Sequence, residues 1–227
     1  VPVEAECITP DAFAEKSVKE IAVLEVWEGN RKRTLGELFK IEEGAESSSE
    51  EATIRISGDV SKVRRIGAKM SMGRISVEGD AGMHLGEEMK GGNITVTGNA
   101  ASWAGSMMKN GTIELKGDAG DYIGAAYRGS TEGMGGGEII IHGNAGNEVG
   151  CFMRKGIIKV YGNVGSFAGM HMRNGTIFVQ GNSEGRAGAE MTDGKIVVCG
   201  YIPSILPTFT IDSIRPNVKV NKEEAKG

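Results

Sequence analysis

Proline and cysteine are scarce in this 227-residue chain, at 5 and 3 residues, and aromatic side chains make up only 5% of it. So little proline excludes a collagen-like or Pro-rich disordered chain, although glycine, at 36 residues, is about twice as frequent as usual. Cys7, Cys151 and Cys199 are odd in number, far apart and without CxxC spacing. That pattern suggests neither a disulfide framework nor an iron–sulfur site, and fits reduced thiols in a cytoplasm. No apolar run is long enough to cross a membrane, and no signal-peptide core is evident. The formal net charge is −4 with both signs interspersed, not the basic stripe of a nucleic-acid binder. With few aromatics, a core here must be built from small aliphatic side chains. The chain begins at Val1 rather than Met, which reads as a trimmed N-terminus.

What is present is glycine at fixed intervals. Gly58, Gly79, Gly98, Gly117, Gly143, Gly162, Gly181 and Gly200 are spaced by 21, 19, 19, 26, 19, 19 and 19 residues. Between them the unit G-[DN]-small-x-x-x-x-G-x-x-M-x-x-G-x-I-x-[VIL]-x recurs seven times. Self-similarity at such a period signals a repeat architecture. Each unit ends in period-two alternation, from Ile75/Val77 and Ile94/Val96 to Ile177/Val179 and Ile196/Val198, the pattern of a half-buried strand. Turn dipeptides such as Asn110-Gly111 and Asn174-Gly175 precede the strands and supply positive φ. A 19-residue extended coil has a contour of about 60 Å, enough to close around a filled cross-section; coils stacked at ~4.8 Å would form a rod of roughly 35 Å. The expected fold is all-β: a right-handed parallel β-helix of seven ~19-residue coils, since strand crossovers within one sheet are nearly always right-handed. A period of 19 is not a multiple of six, which excludes hexapeptide left-handed helices, and the calcium-binding nonapeptide GGxGxD is absent.

The flanks differ. Residues 1–43 read as a small α/β cap, with Thr9 and Pro10 opening a short helix over "TPDAFAEKSVKEI" and a strand–turn–second element around Gly29-Asn30. Residues 44–53 read as an acidic, Ser-rich linker, 54–200 as the repeat domain, and 201–227 as an arm lying extended across a surface.

No catalytic, cofactor-binding or metal-ligating constellation emerges. The Met column (Met70, Met89, Met108, Met153, Met172, Met191, with Met134 beside the fourth-unit insertion) reads as a core ladder. The Asp/Asn column (Asp59, Asp80, Asn99, Asp118, Asn144, Asn163, Asn182) reads as a hydrogen-bonded corner, because Asn replaces Asp too freely for acid–base work. His84, His142 and His171 fall in different columns and read as isolated surface groups. "GMGGG" at 133–137 lacks a dinucleotide-binding spacing, and no GK[ST] exists.

The informative residues are expected on the outside. The outward strand column reads Ser76, Thr95, Glu114, Ile140, Lys159, Phe178, Val197, turning apolar towards the C-terminus. A mid-coil column reads Arg65, His84, Trp103, Tyr122, Glu148, Phe167, Arg186. Exposed aromatics beside arginine have the composition of protein–protein hot spots. Trp103, Tyr122, Phe167, Arg186, Ile140, Phe178 and Val197 are therefore candidate interface residues. Tyr127 and Arg128 join them, since the seven extra residues of the fourth unit must bulge as a loop, and loops carry function.

These coils resemble the C-terminal β-helix domain of glutamate synthase. They are more closely similar to the C subunit of the tungsten- or molybdenum-dependent formylmethanofuran dehydrogenases, where the repeat is a chain of its own behind a short α/β segment. The "YRG…RGM.GG"-like interruption of that family is matched by "AYRGSTEGMGGG" at 126–137. A formyltransferase/hydrolase complex of methylotrophs has a related β-helical component. The resemblance implies a scaffold within an oxidoreductase that reversibly reduces CO2 with ferredoxin-type electrons and forms formylmethanofuran in methanogenesis. It implies tungstopterin or molybdopterin in the catalytic B subunit, a zinc-type dinuclear site in the catalytic A subunit, iron–sulfur clusters in further partners, and no cofactor in this chain. No family catalytic residue carries over. The competing expectations are the formyltransferase/hydrolase scaffold, a glutamate synthase-type domain and, from another class, a solenoid polysaccharide lyase or hydrolase. The last should show acidic and Arg residues converging on one groove.

Overall fold

The computed structural model describes residues 1–44 and 52–214, together with the strands Asn217–Val220 and Glu223–Lys226. Its centre is a parallel β-solenoid. Eight strands stack in one sheet: Thr53–Ser57, Arg74–Glu78, Asn93–Val96, Thr112–Leu115, Gly135–Ile141, Lys155–Val160, Thr176–Val179 and Lys195–Val198. The strand count exceeds the seven repeats by one, because Thr53–Ser57 pairs in register ahead of the first unit through Ile54↔Ile75 and Ile56↔Val77. The isoleucine column continues unbroken as Ile75↔Ile94↔Ile113↔Ile139↔Ile158↔Ile177↔Ile196. Alternation in sequence becomes alternation in burial: Ile113, Leu115, Ile158, Val160, Ile177 and Val179 are fully enclosed. A second face of single bridges runs Val60↔Ala81↔Ala100↔Ala119↔Ala145↔Val164, where small residues let the two walls approach.

The two polar and soft-sulfur columns lie where their chemistry requires. From Asp80 onwards each Asp or Asn side chain receives a backbone N–H from the next coil: Asn99 donates to Asp80 Oδ1 at 2.7 Å, Asp118 to Asn99 at 2.8 Å, Asn163 to Asn144 at 2.9 Å and Asn182 to Asn163 at 2.8 Å. Asp59 instead accepts from Ser61 N–H at 2.9 Å in its own turn. The methionines, Met134 included, are buried from Met70 to Met172, and each terminal methyl lies against a turn glycine of the following coil. At Gly111, whose φ is +97°, an added Cβ would stand 2.7 Å from the Met89 methyl. Glycine is needed there for space as well as for φ.

A less expected feature is positive φ at residues other than glycine. Arg65, His84, Trp103, Tyr122, Glu148, Phe167 and Arg186 all lie between +52° and +71°. A second column, Lys69, Glu88, Met107, Phe152, His171 and Glu190, does the same between +53° and +60°. Left-handed backbone costs an L-residue about 1–2 kcal/mol. In every coil but the last it turns the N–H towards the following coil: Trp103 donates to Asp121 O at 2.9 Å, Tyr122 to Asn147 O at 2.8 Å and Phe152 to Met170 O at 2.9 Å. The intervening glycines point the other way, as when Gly105 donates to Leu85 O at 2.8 Å. Alternating donors stitch each coil to both neighbours, which offsets the local strain.

Both ends are covered differently. Val3–Glu4 pairs antiparallel with Glu25–Glu28 and parallel with Val63–Arg64, so the N-terminal residues share a four-stranded sheet with the first coil. Ala5, Ile8, Ile21, Val26 and Leu35 continue the apolar core beneath it. The single helix expected over 9–21 is two, Pro10–Phe13 and Val18–Ala22, because Ser17 and Glu20 form a capping box that starts a second helix. The linker expected at 44–53 lies mostly outside the described residues. At the other end the arm crosses the last coil, with Phe209 against Gly188, and the strands Asn217–Val220 and Glu223–Lys226 then pair antiparallel. No described helix is long and apolar enough to cross a membrane.

Candidate partner-binding site

Positive φ swings the mid-coil side chains outward, one above another along the solenoid, and that builds a ladder on its surface. His84, Trp103 and Tyr122 stack as parallel rings, with centroids 5.9 Å and 4.3 Å apart and interplanar angles of 9° and 14°. Further along, the Arg186 guanidinium lies over the Phe167 ring, 5.3 Å from its centroid. Beside the ladder, Phe152 stacks on His171 at 4.4 Å. Met83, Tyr122, Phe152 and Met170 pack around Trp103, Ala125 and Cys151 as a second apolar cluster, separate from the solenoid core.

Trp103 is not exposed as expected: it is 8% accessible. The covering residue is Tyr127 of the insertion, whose ring meets Trp103 and His84 edge-on, each at 5.5 Å. The insertion therefore does not simply bulge. Ala126 N–H donates to Cys151 O, and Gly133 N–H to Phe152 O, both at 3.0 Å, so the loop leaves and rejoins the coil at neighbouring points. Between them Tyr127 folds back over the ladder while Arg128 and Gly129 face solvent. Glu132 is tied to Arg154 at 3.1 Å.

His84 is also enclosed, at 8% accessible, and does not match the isolated surface group expected. Its Nδ1 faces Glu87 Oε1 at 3.4 Å, and Arg65 reaches Glu87 Oε2 at 3.0 Å. Arg65 also pairs with Glu4 at 3.3 Å and Glu6 at 3.0 Å, so a chain of charges runs from the N-terminal strand to the ladder. Burial pushes the Glu87 carboxyl up, but contact with His84 and the charges of His84, Arg65 and Lys69 outweigh it, leaving the pKa below the ordinary value. Sequence reasoning passed over Glu87, although a signal existed. Its column otherwise holds Ala68, Ser106, Ala125, Cys151, Met170 and Ala189, and a carboxylate among uncharged, mostly small residues needs a partner.

On the sheet face, Ile140, Phe178 and Val197 are half-buried and share one outward column with Glu114. Glu114 does not point to bare solvent: it pairs with Lys116 and with His142 Nε2 at 2.9 Å, and these two hold its carboxyl below the usual range. The structure thus brings Trp103, Tyr122 and Tyr127 together, places Phe167 and Arg186 further along the same ladder, and leaves Ile140, Phe178 and Val197 on a different face. Among the described residues no group of three or more His, Cys, Asp or Glu side chains is placed to hold a metal. Burial, then Glu148, pushes the Cys151 thiol up to about 12, so it is no nucleophile at neutral pH.

No protein-family model matches the chain. Among curated proteins, it is 48% identical over 84 residues to the C subunit of molybdenum-containing formylmethanofuran dehydrogenase 1 of Methanosarcina barkeri, a match over 37% of this chain and 28% of that one. It is 44% identical over 84 residues to the C subunit of tungsten-containing formylmethanofuran dehydrogenase 2 of Methanothermobacter wolfeii, over 37% of this chain and 31% of that one. The chain thus spans less than a third of the length of these curated relatives. A solved structure, the formyltransferase/hydrolase complex of Methylorubrum extorquens with methylofuran, superimposes with a TM-score of 0.84 at 37% identity, over 92% of this chain and 76% of its counterpart.

Proposed function

This chain belongs to the family of formylmethanofuran dehydrogenase C subunits, and from that premise we propose that it is a non-catalytic scaffold within such a complex. The assembly would reversibly reduce CO2 and form formylmethanofuran. The pterin-bound tungsten or molybdenum, the dinuclear zinc-type site and the iron–sulfur clusters would lie in partner subunits. The observation that carries the reading is where the polar groups go. Asp80, Asn99, Asp118, Asn144 and Asn163 are committed to backbone hydrogen bonds at the corner, and Glu87, Arg65 and His84 to one another. What the fold offers outward is surface: the ladder with Tyr122, Phe167 and Arg186, the insertion with Arg128 and with Tyr127, which covers Trp103, and the sheet stripe with Ile140, Phe178 and Val197. We assign these as the faces that meet catalytic subunits.

Affinity purification of the full chain from its native cells, with mass spectrometry of co-purifying proteins and elemental analysis, tests this. The expected result is stoichiometric oxidoreductase subunits carrying tungsten or molybdenum and iron, with no metal on the chain once separated. Stoichiometric metal on the separated chain, or an absence of catalytic partners, overturns the proposal. The likeness to the Methylorubrum complex favours a second reading, the equivalent scaffold in a formyltransferase/hydrolase assembly. Co-purification of a formyltransferase without tungsten or molybdenum would select it.

A further inference from the structure

The rungs of the ladder differ in one respect. Arg65 is paired with Glu4, Glu6 and Glu87, His84 with Glu87, Trp103 with Tyr122, and Arg186 with Phe167. Glu148, half-buried between the Tyr122 and Phe167 rungs, makes no ion pair within the described residues; the Cys151 thiol is its hydrogen-bond partner. We infer that the Glu148 rung is a receptor for a planar cation, the guanidinium of an arginine presented by a partner polypeptide.

Two features favour a positive guest. The first is a carboxylate without an ion-pair partner among the described residues, set beside the apolar cluster of Cys151, Phe152 and Met170. The second is the flanking rings, whose π faces attract cations and repel anions. Tyr122 and Phe167 lie two coils apart, about 9–10 Å at ~4.8 Å per step. A plate touching both rings would need about 7 Å, so the guest stacks on one ring and turns its edge to Glu148. A guanidinium suits this, as a delocalised plane that stacks on an aromatic face while its donor fork meets a carboxylate; an ammonium cannot stack. Arg186 over Phe167 is the same pairing made within the chain, one rung further along.

This inference rests on the scaffold reading, and its test separates the two. The tagged full chain is purified with its partners as wild type, Glu148→Gln, Glu148→Arg and a control on the exposed N-terminal cap, Glu15→Arg. Dissociation of the assembled complex is then followed at increasing salt. Both Glu148 variants should dissociate at least about tenfold faster than wild type, with a weaker salt dependence for Glu148→Gln and normal circular dichroism, while the control is unchanged. Glu148→Gln retains a hydrogen-bond acceptor for Cys151, so it remains informative even if the arginine variant folds poorly. A photo-cross-linker at Met170 should capture a partner peptide that contains arginine. If wild type brings down no partner, the scaffold reading fails. If wild type assembles and neither Glu148 variant dissociates faster, or the captured peptide lacks arginine, the inference alone is overturned.

Discussion

Replacing Gly86 by alanine tests the packing of the solenoid wall at one atom. Gly86 has φ +62°, and an added Cβ would stand 2.6 Å from Ile113 Cδ1 and 3.2 Å from Ile94 Cδ1. Neither isoleucine can retreat, for both are enclosed and belong to the continuous column that fills the core. The backbone contributes about 1–2 kcal/mol of left-handed strain. Overpacking a tight core contributes about 1–3 kcal/mol more. The expected destabilisation is therefore about 2–5 kcal/mol, and Tm should fall by roughly 4–20 °C for a chain of this size. The clash resides in one methyl group, so Ile113→Val, which removes that Cδ1, should partly rescue it. Alone, Ile113→Val should cost about 0.5–1.5 kcal/mol. In the double variant the costs should fall short of additive by at least about 1 kcal/mol, measured by urea unfolding with thermal melts in parallel. Costs that add within about 0.5 kcal/mol would refute the assignment of Gly86 to contact with the isoleucine column.

Aspartate at Val160 or Ile177, both fully enclosed, should abolish the folded state, because an unpaired carboxylate there has no water and no partner. Glu114→Ala, which loses only surface pairs with Lys116 and His142, should change stability by about 1 kcal/mol or less. Equal melting losses at the two kinds of position would overturn the inward–outward register. Glu87 has its carboxyl held below its ordinary value of 4.5. Its contribution should be fully present above that pH and be lost as pH falls through the folded-state value, so Glu87→Gln should flatten the acid limb of a stability–pH curve; an unchanged limb would show that the pairing with His84 and Arg65 adds nothing. Deleting residues 127–133, which spares the ladder residue Met134, should leave the far-ultraviolet circular dichroism unchanged. It should also raise acrylamide quenching of Trp103 in a Trp27→Phe background and weaken retention of partners. Unaltered quenching would mean that Tyr127 does not cover the ladder.

Much of this architecture was written in the repeat. In a parallel solenoid successive coils are related by translation, so a residue type recurring every 19 positions stacks on itself. The isoleucine, methionine and Asp/Asn columns could therefore be assigned to core and corner without coordinates, and each lies there. Period alone also placed the insertion at the fourth coil, since only there does the glycine spacing jump to 26.

What period cannot encode is the direction a side chain takes once it leaves its column. The left-handed backbone at Trp103 or Phe152 is invisible in sequence, because no glycine marks it. It exists to aim N–H groups at a neighbouring coil. Ser17 divided the N-terminal helix through a local capping box that the broader pattern obscured. Tyr127 reaching back over Trp103, and Arg65, Glu87 and His84 closing into one cluster, join residues that lie a coil or more apart in sequence or on the insertion. Stacking was legible from the order of residues, because translation repeats every local rule. The surface was settled only once the coils had closed on one another, because there side chains meet by length, charge and rotamer, none of which repeats.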